Sequence, residues 1–446
     1  MRNTIAAMML TVAALAGRIL AAEGQAEQRP TGAPEPCWGS PLPGDCPLQK
    51  SSEFSGIAWT GRHVQYGNAD TWYPSWAADG NLYSPWTDGY LLEGAEGRQQ
   101  VPFAENHPAY ACNSADYLGR KAATAQAKIV GDDPRRLKIV NLVPRVEGSP
   151  APYQGRYPCG SLVHNGVWYY GTYALTNGKS GCGGVGWTLL GPLVGFRWST
   201  DLGKTWSETP CTPAKPLFGE DPQRSPVKIG APHFVDFGRN MEHSPDGKAY
   251  LVAHGSTRPE AWNNWIQGDQ VYLLRVKPSI ASMNDAAAYE FFAGHDAGGK
   301  PRWTNRFADI KPLLEWKDNL GCVTATYDPG LKKYLMCISR SIRANRANVL
   351  FLESAEMTGP WKVVAYLTAF GPEAYFLNIP TKFISQDGRT FWLCYSANWA
   401  SKATSGGNPP GSHYALCLRE IRLISARKEK GGLTAGPSPA WRAGRG

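Results

Sequence analysis

The chain has 446 residues, with Gly 49, Pro 35, Trp 17 and Tyr 20, only 19% charged residues and a net charge of +9. Few charged helix formers and many turn and aromatic residues argue against a helical bundle and for one large domain of short strands. Part of the positive charge sits in Arg427, Lys428, Lys430, Arg442 and Arg445. There is no basic stretch interleaved with aromatics, so no nucleic-acid partner is expected.

Residues 1–22 read as a secretory signal peptide. Arg2 supplies the positive start, Ile5 to Ala16 is apolar but too short to span a bilayer, and Ala14-Leu15-Ala16 and Leu20-Ala21-Ala22 both offer cleavage sites. No later stretch approaches a transmembrane length, so a secreted, periplasmic or extracellular monomer with no membrane span is expected. Residues 23–56 are polar and Pro/Gly-rich and read as an N-terminal loop segment. Residues 57–425 form the predicted β domain. Residues 426–446 are a basic Gly/Pro-rich tail, predicted to be disordered. The cysteine count of 10 fits an oxidising compartment. Cys37/Cys46 suits a local disulfide staple, and Cys159/Cys182 and Cys182/Cys211 are other pairings. Cys322, Cys337, Cys394 and Cys417 lie in apolar runs and read as buried thiols or inter-strand bridges.

A hairpin recurs along the β domain. It appears as Asp79-Gly80-Asn81-Leu82-Tyr83, Asn165-Gly166-Val167-Trp168-Tyr169, Asp246-Gly247-Lys248-Ala249-Tyr250 and Asp387-Gly388-Arg389-Thr390-Phe391, with a degenerate copy at Pro329-Gly330-Leu331-Lys332-Lys333-Tyr334. Asp-Gly and Asn-Gly suit tight hairpin turns. The turn glycines are spaced by 86, 81, 83 and 58 residues, each enough for a four-stranded blade. The predicted fold is all-β: a five-bladed β-propeller of four-stranded antiparallel blades. Ser199-Thr200-Asp201-Leu202-Gly203-Lys204-Thr205-Trp206 resembles the Asp-box, a structural hairpin turn of sialidase-like propellers. Met357-Thr358-Gly359-Pro360-Trp361 reads as a connector before an outer strand.

In a propeller, polar residues on the innermost strands face a central funnel. Blade one is the richest. Asp70 precedes the turn at Asp79-Gly80 by about nine residues and Asp88 follows it by about eight, so pairing across the hairpin puts both carboxylates at one end. Two such carboxylates can act as acid and base, or as nucleophile and acid/base, at a glycosidic bond; about 5–5.5 Å between them predicts retention and about 6.5–9.5 Å inversion. Trp72, Tyr73 and Trp86 are candidates for a sugar platform. Blade three offers His233, Glu242 and His243, then Trp262 and Asn263 in a polar loop, and Asp269 entering the next strand. Blade five offers Glu373 and Asn378. No metal-ligand spacing stands out, so no cofactor is expected, although a structural calcium in the channel is compatible with the sequence. The expected partner is a polysaccharide or oligosaccharide.

The segments Asp70-Thr71-Trp72-Tyr73-Pro74, Met241-Glu242-His243-Ser244-Pro245-Asp246-Gly247 and Phe391-Trp392-Leu393-Cys394-Tyr395-Ser396-Ala397-Asn398 resemble a family of secreted five-bladed propellers, long known only as a domain of unknown function, some of whose members are endo-D-arabinanases. The resemblance implies a glycoside hydrolase acting on arabinofuranose chains, with an acidic pair that falls on Asp70 and Asp88. The extra cysteines and the insertion at 177–195 depart from a simple arabinanase. Two rival readings stay open: a non-catalytic sugar-binding propeller, and a polysaccharide lyase with a His, Tyr or Arg base.

Overall fold

A computed structural model describes residues 37–66, 69, 71–90, 98–99, 121–146, 157–176, 189–222, 224–257, 267–343, 346–368, 370, 375–396, 412 and 415–426. These residues form antiparallel strands with a few short 3-10 turns. Among them, no helix is long and apolar enough to cross a membrane.

The strands make four sheets. The first runs Ser75–Trp76, Leu82–Tyr90, Lys121–Val130, Lys138–Val146 and Arg98–Gln99. A nine-stranded sheet follows, beginning with Tyr157–His164, Val167–Thr176 and Leu189–Ser199. It continues through the pair Pro192–Gly230 into Gly230–Phe234, Ala249–Gly255, Gly268–Val276 and their outer partners. A four-stranded sheet spans Cys322–Asp328, Lys333–Arg343, Arg346–Ser354 and Lys362–Leu367. The last sheet joins both ends of the described chain. Phe54–Tyr66 pairs with Leu416–Ser425, which pairs with Thr390–Ser396 and then Tyr375–Asn378. The short strand Cys37–Trp38, inside the expected loop segment, adds to its outer edge through Cys37–Ala58 and Trp38–Ile57.

The recurring hairpin has a physical basis. Gly80, Gly166, Gly247 and Gly388 take φ of 84°, 80°, 69° and 71°, a region where a side chain is strained. Asp79, Asp246 and Asp387 each accept the backbone N–H two residues on, at 3.0, 3.1 and 3.0 Å. The tyrosine four residues after the first two aspartates closes the turn from its other side: Tyr83 and Tyr250 donate their hydroxyls to Asp79 at 2.8 Å and Asp246 at 3.1 Å. The degenerate copy works differently. There Lys332, not Gly330, takes the left-handed conformation, at φ 53°. Gly330 is small because a Cβ on it would strike the backbone of Gln386–Gly388 in the next turn.

The Asp-box is formed as its sequence demands. Asp201 Oδ1 accepts the N–H groups of Lys204 and Thr205 at 3.0 and 2.9 Å, and Ser199 Oγ accepts that of Gly203 at 2.7 Å. Trp206 packs between strands, 5.2 Å from Trp168 and 5.6 Å from Tyr170. The 357–361 connector leads into the outer strand Lys362–Leu367.

The thiols differ from the expected disulfides. Cys46, Cys159 and Cys211 are free. Neither the 37/46 staple nor a bridge from Cys159 or Cys211 is formed. Cys159 sits on an inner strand against Gly171, where packing between strands already encloses it. Cys337 and Cys394 are buried free thiols.

Candidate functional site

One strand from each hairpin unit faces a common centre: Ser75–Trp76, Tyr157–His164, Gly230–Phe234, Cys322–Asp328 and Tyr375–Asn378. They hold one another by side chains as well as by packing. Thr324 and Thr326, alternating on one face, donate to the carbonyls of Leu377 and Ile379 at 2.6 and 2.7 Å. Ser75 Oγ accepts Val163 N–H at 2.8 Å. Asp236 N–H donates to Ala325 O at 3.0 Å.

Between these strands lies a cavity of about 350 Å³, including its part open to solvent. Each inner strand, or a residue leading into it, contributes a polar side chain: Tyr73, Ser161, His233, Asn378, and both Thr324 and Thr326. The backbone changes direction just before several of these positions. Thr71, Ala231 and Phe376, each two residues before a lining residue, have φ of 50°, 43° and 42°. The pairing register slips between Pro158 and Ser161, between Gly230 and His233, and between Tyr375 and Asn378. Such bulges and strained residues re-aim side chains and concentrate at functional sites.

The His233 ring lies tilted between two aromatic rings, its centroid 4.5 Å from that of Tyr73 and 4.3 Å from that of Phe376. Its Nε2 is buried with no hydrogen-bond partner. Burial, and next the nearby His254, hold its pKa well below the usual imidazole value, so the ring is neutral at pH 7. Asn378 spends its amide donors on the carbonyls of Trp72 at 3.1 Å and Phe376 at 2.9 Å. Asp236, which no motif had singled out, also lines the cavity. Its Oδ1 accepts Gly238 N–H at 2.9 Å and its Oδ2 accepts Thr381 N–H at 2.7 Å. Burial pushes its pKa up, against those donors. The signal was a lone acid within Phe234-Val235-Asp236-Phe237, a charge inside an apolar run. A second cavity of about 310 Å³ shares Pro74, Ser161, Phe234 and Asp236 and continues toward Trp76 and Met241.

The other expected site residues fall in several places. Asp70, Trp262, Asn263 and Glu373 lie outside the described residues. Asp88 lies on Leu82–Tyr90, toward the end away from the turn. Asp269 also lies away from the turns. It is buried, and its carboxylate accepts Thr257 N–H at 2.8 Å and the Thr257 hydroxyl. Trp72 and Trp86 are core residues, 1% and 0% exposed, with ring centroids 6.3 Å apart. Their indole N–H groups go to Ala69 O at 3.1 Å and Asn141 Oδ1 at 3.0 Å. Glu242 and His243 belong to the turn end, beside the 3-10 turn Arg239–Met241. Glu242 is exposed and accepts Arg239 N–H at 3.1 Å, and His243 Nε2 lies 3.8 Å from it. The structure thus brings Tyr73, His233 and Asn378 together and leaves Glu242 and His243 at the opposite end from Asp88 and Asp269.

Calcium takes six to eight oxygen ligands. Among the described residues no group of three or more His, Cys, Asp or Glu converges. In the cavity, Asp236 already spends both oxygens on backbone N–H groups, so these residues do not by themselves make a calcium cage.

No family model matches the chain, and no curated protein matches it. Several solved structures are similar in outline. A candidate hydrolase from Bacteroides ovatus aligns over 86% of this chain and 95% of its own at 12% identity and TM-score 0.47. A GH43 β-xylosidase/α-arabinofuranosidase from a compost microbial metagenome aligns over 81% and 93% at 12% identity and TM-score 0.41. The α-L-arabinofuranosidase PaAbf62A of Podospora anserina aligns over 87% and 97% at 10% identity and TM-score 0.39. At such scores the functional reading rests on the chain's own residues.

Proposed function

We propose that this chain is a secreted glycoside hydrolase built on a five-bladed β-propeller, with Asp70 and Asp88 as its catalytic carboxylates and an arabinofuranose-containing polysaccharide as its substrate. The five inner strands facing one cavity support the five-bladed reading. So does the pairing of Phe54–Tyr66 with Leu416–Ser425, which joins the two ends of the chain in one sheet.

The observation that carries the catalytic pair is the register of the first hairpin. Ser75 pairs with Tyr83 and Trp76 with Leu82. Further from the turn, beyond the paired residues, Thr71 Oγ1 and Thr87 Oγ1 are hydrogen-bonded at 2.7 Å. In the sequence Asp70 directly precedes Thr71 and Asp88 directly follows Thr87, and this neighbourhood supports reading them as a pair. One carboxylic acid gives its proton to the leaving glycosidic oxygen as the C–O bond breaks. The other carboxylate attacks the anomeric carbon, or takes the proton of the attacking water; water's hydroxyl ends on the anomeric carbon in either case. Tyr73 and the His233 ring line the cavity between the inner strands and are the proposed substrate contacts.

The test is product release from a panel of arabinans, galactans and rhamnose-rich polymers. Wild type should release reducing sugar from one of them. Asp70→Asn and Asp88→Asn should each lose at least about a thousandfold in rate while keeping the wild-type melting temperature, because neither general acid–base nor nucleophilic catalysis survives the amide. Binding without release by wild type would leave a lectin-like propeller. Unsaturated products absorbing in the ultraviolet would point to a lyase.

A further inference from the structure

We propose that Glu220 is a positioning residue of the cavity. Its carboxylate fixes the approach to the inner strand Gly230–Phe234 and, through that strand, the place of His233; the inference rests on the reading of Tyr73 and His233 as substrate contacts. Glu220 is buried. Its Oε1 accepts Lys228 N–H at 2.6 Å and its Oε2 accepts Ile229 N–H at 3.2 Å. Lys228 sends its own ammonium over the Phe307 ring, 5.7 Å from the centroid, and the nearby Asp221 and Arg224 pair with each other at 3.2 Å. A carboxylate taken out of water carries a large desolvation cost, and an apolar side chain would fill the space without it. What the carboxylate adds is one acceptor for each of two successive N–H groups. A neutral amide would offer a single acceptor and set a donor against the other N–H.

The segment so held is gripped on its other sides as well. Ile229 O accepts Leu193 N–H at 2.9 Å, and Val227 O accepts Ser256 N–H at 3.1 Å. A Cβ on Gly255 would lie 2.9 and 3.0 Å from the carbonyl oxygens of Val227 and Lys228. One on Gly160 would lie 2.8 Å from Pro232 O and 3.1 Å from His233 Cα. Neighbouring strands thus approach this backbone as closely as glycine allows. Between the clamp and His233 stands Ala231, fully buried at φ 43°, a strained conformation that persists only where its surroundings over-determine it. In so tight a packing a displacement at Ile229 is passed on to His233 rather than absorbed.

Burial raises the Glu220 pKa to about 7, against the two N–H groups and then the charge of Lys228. Tyr272 faces it from the strand Gly268–Val276; burial first, then the charges of Glu220, Glu315 and Asp269, push the Tyr272 pKa up, so the phenol stays neutral. The His233 ring is neutral as well. Of Glu220, Tyr272 and His233, only Glu220 therefore changes charge near pH 7. Once protonated, its carboxyl keeps one good acceptor and turns a hydroxyl toward the other N–H.

The experiment uses the full-length protein and the arabinan, galactan or rhamnose-rich polymer that wild type cleaves. In protein carrying isotope-labelled isoleucine, the Ile229 amide signal, identified by its loss in Ile229→Val, should titrate with a midpoint near the Glu220 value of about 7. Wild-type KM should rise about 3–10-fold as pH falls from about 8 to about 6, the scale of one weakened hydrogen bond. Glu220→Gln should hold KM at the raised value throughout. Folding stability should move the opposite way. The folded-state pKa lies above the unfolded one, so wild type should gain stability relative to Glu220→Gln as pH falls through about 7. A carboxylate that serves the fold alone would show the stability change with a flat KM. If Glu220→Gln fails to fold, the two wild-type titrations carry the same comparison. An Ile229 signal with no step near pH 7, or a KM that is flat in wild type and unchanged in Glu220→Gln, overturns the proposal. A wild type that binds polymer without cleaving it removes the hydrolase reading instead, and Kd then takes the place of KM in the same titration.

Discussion

At the turn end of the inner strands, side chains tie neighbouring units into one surface. Arg239 Nε donates to Ala78 O at 3.0 Å, Asn165 N–H donates to Asn240 Oδ1 at 2.7 Å, and Lys382 Nζ donates to Gly80 O at 2.6 Å. Most left-handed positions there are Gly or Asn (Gly80, Asn165, Gly166, Gly238, Asn240, Gly247 and Gly388), which adopt them at little cost, with Met241 and Lys332 as exceptions. Toward the other end, the same strands turn through Thr71, Ala231 and Phe376, where positive φ does cost energy. One end spends its sequence on cheap, well-capped turns. The other accepts strain and holds it with cross-strand hydrogen bonds. That is the division expected when stability is secured at one end and side chains are aimed at the other. It can be broken from the turn end, which should cost stability and spare chemistry.

The largest such effect is expected at Gly388. A Cβ there would strike Asp328 Oδ1 and crowd Leu331, and the residue has φ 71°. Overpacking and left-handed strain together put Gly388→Ala at about 2–5 kcal/mol. Gly166 has a similar φ of 80° but nothing within 4 Å of a built Cβ, so Gly166→Ala isolates the backbone term at about 1–2 kcal/mol. Denaturant titration of both should show the gap. Equal costs would mean that the two turns are not packed against each other as described.

This contrast also shows what a sequence reveals. The five turns, the Asp-box and the all-β class were legible because Asp-Gly, Asn-Gly and S-x-D-x-G-x-T-W encode local backbone geometry. Gly330 misled as a turn glycine because it answers to a neighbour 58 residues on, not to its own turn. Trp72 and Trp86 looked like a sugar platform because aromatic content does not say which face of a strand is enclosed. Asp236 escaped notice because its partners, Gly238 and Thr381, include one from a distant segment. The Asp70–Asp88 pairing rests on spacing about the turn alone, and Asp70 lies outside the described residues.

Asp236 sharpens the comparison from the cavity. Its carboxylate serves two backbone N–H groups, so Asp236→Asn should cost about 1–3 kcal/mol by setting an amide donor against one of them. Activity per folded molecule should stay within about twofold, measured at a temperature well below melting. A hundredfold loss in a folded Asp236→Asn protein would move Asp236 from scaffold to chemistry.

The smallest effect is a pH dependence at the turn end. Asp328 is buried, with Oδ1 accepting the N–H groups of Gly330 and Leu331 at 3.0 Å each and Oδ2 lacking a partner. Burial raises its pKa to about 6; the two N–H groups oppose the rise and the charge of Asp387 on the facing turn adds to it. A raised carboxylate pKa penalises the ionised folded state. Wild-type stability should therefore rise as pH falls through about 6 and level off near pH 4, once the unfolded chain also takes up the proton. Asp328→Asn is neutral throughout and should lack that rise, so the stability difference between the two proteins should change by about 1–2 kcal/mol between pH 8 and pH 4. The slope, not the absolute stability, is the measure, because the new amide brings an unpaired donor of its own. Parallel melting curves across this range would mean that the facing turns already compensate the burial of the Asp328 carboxylate.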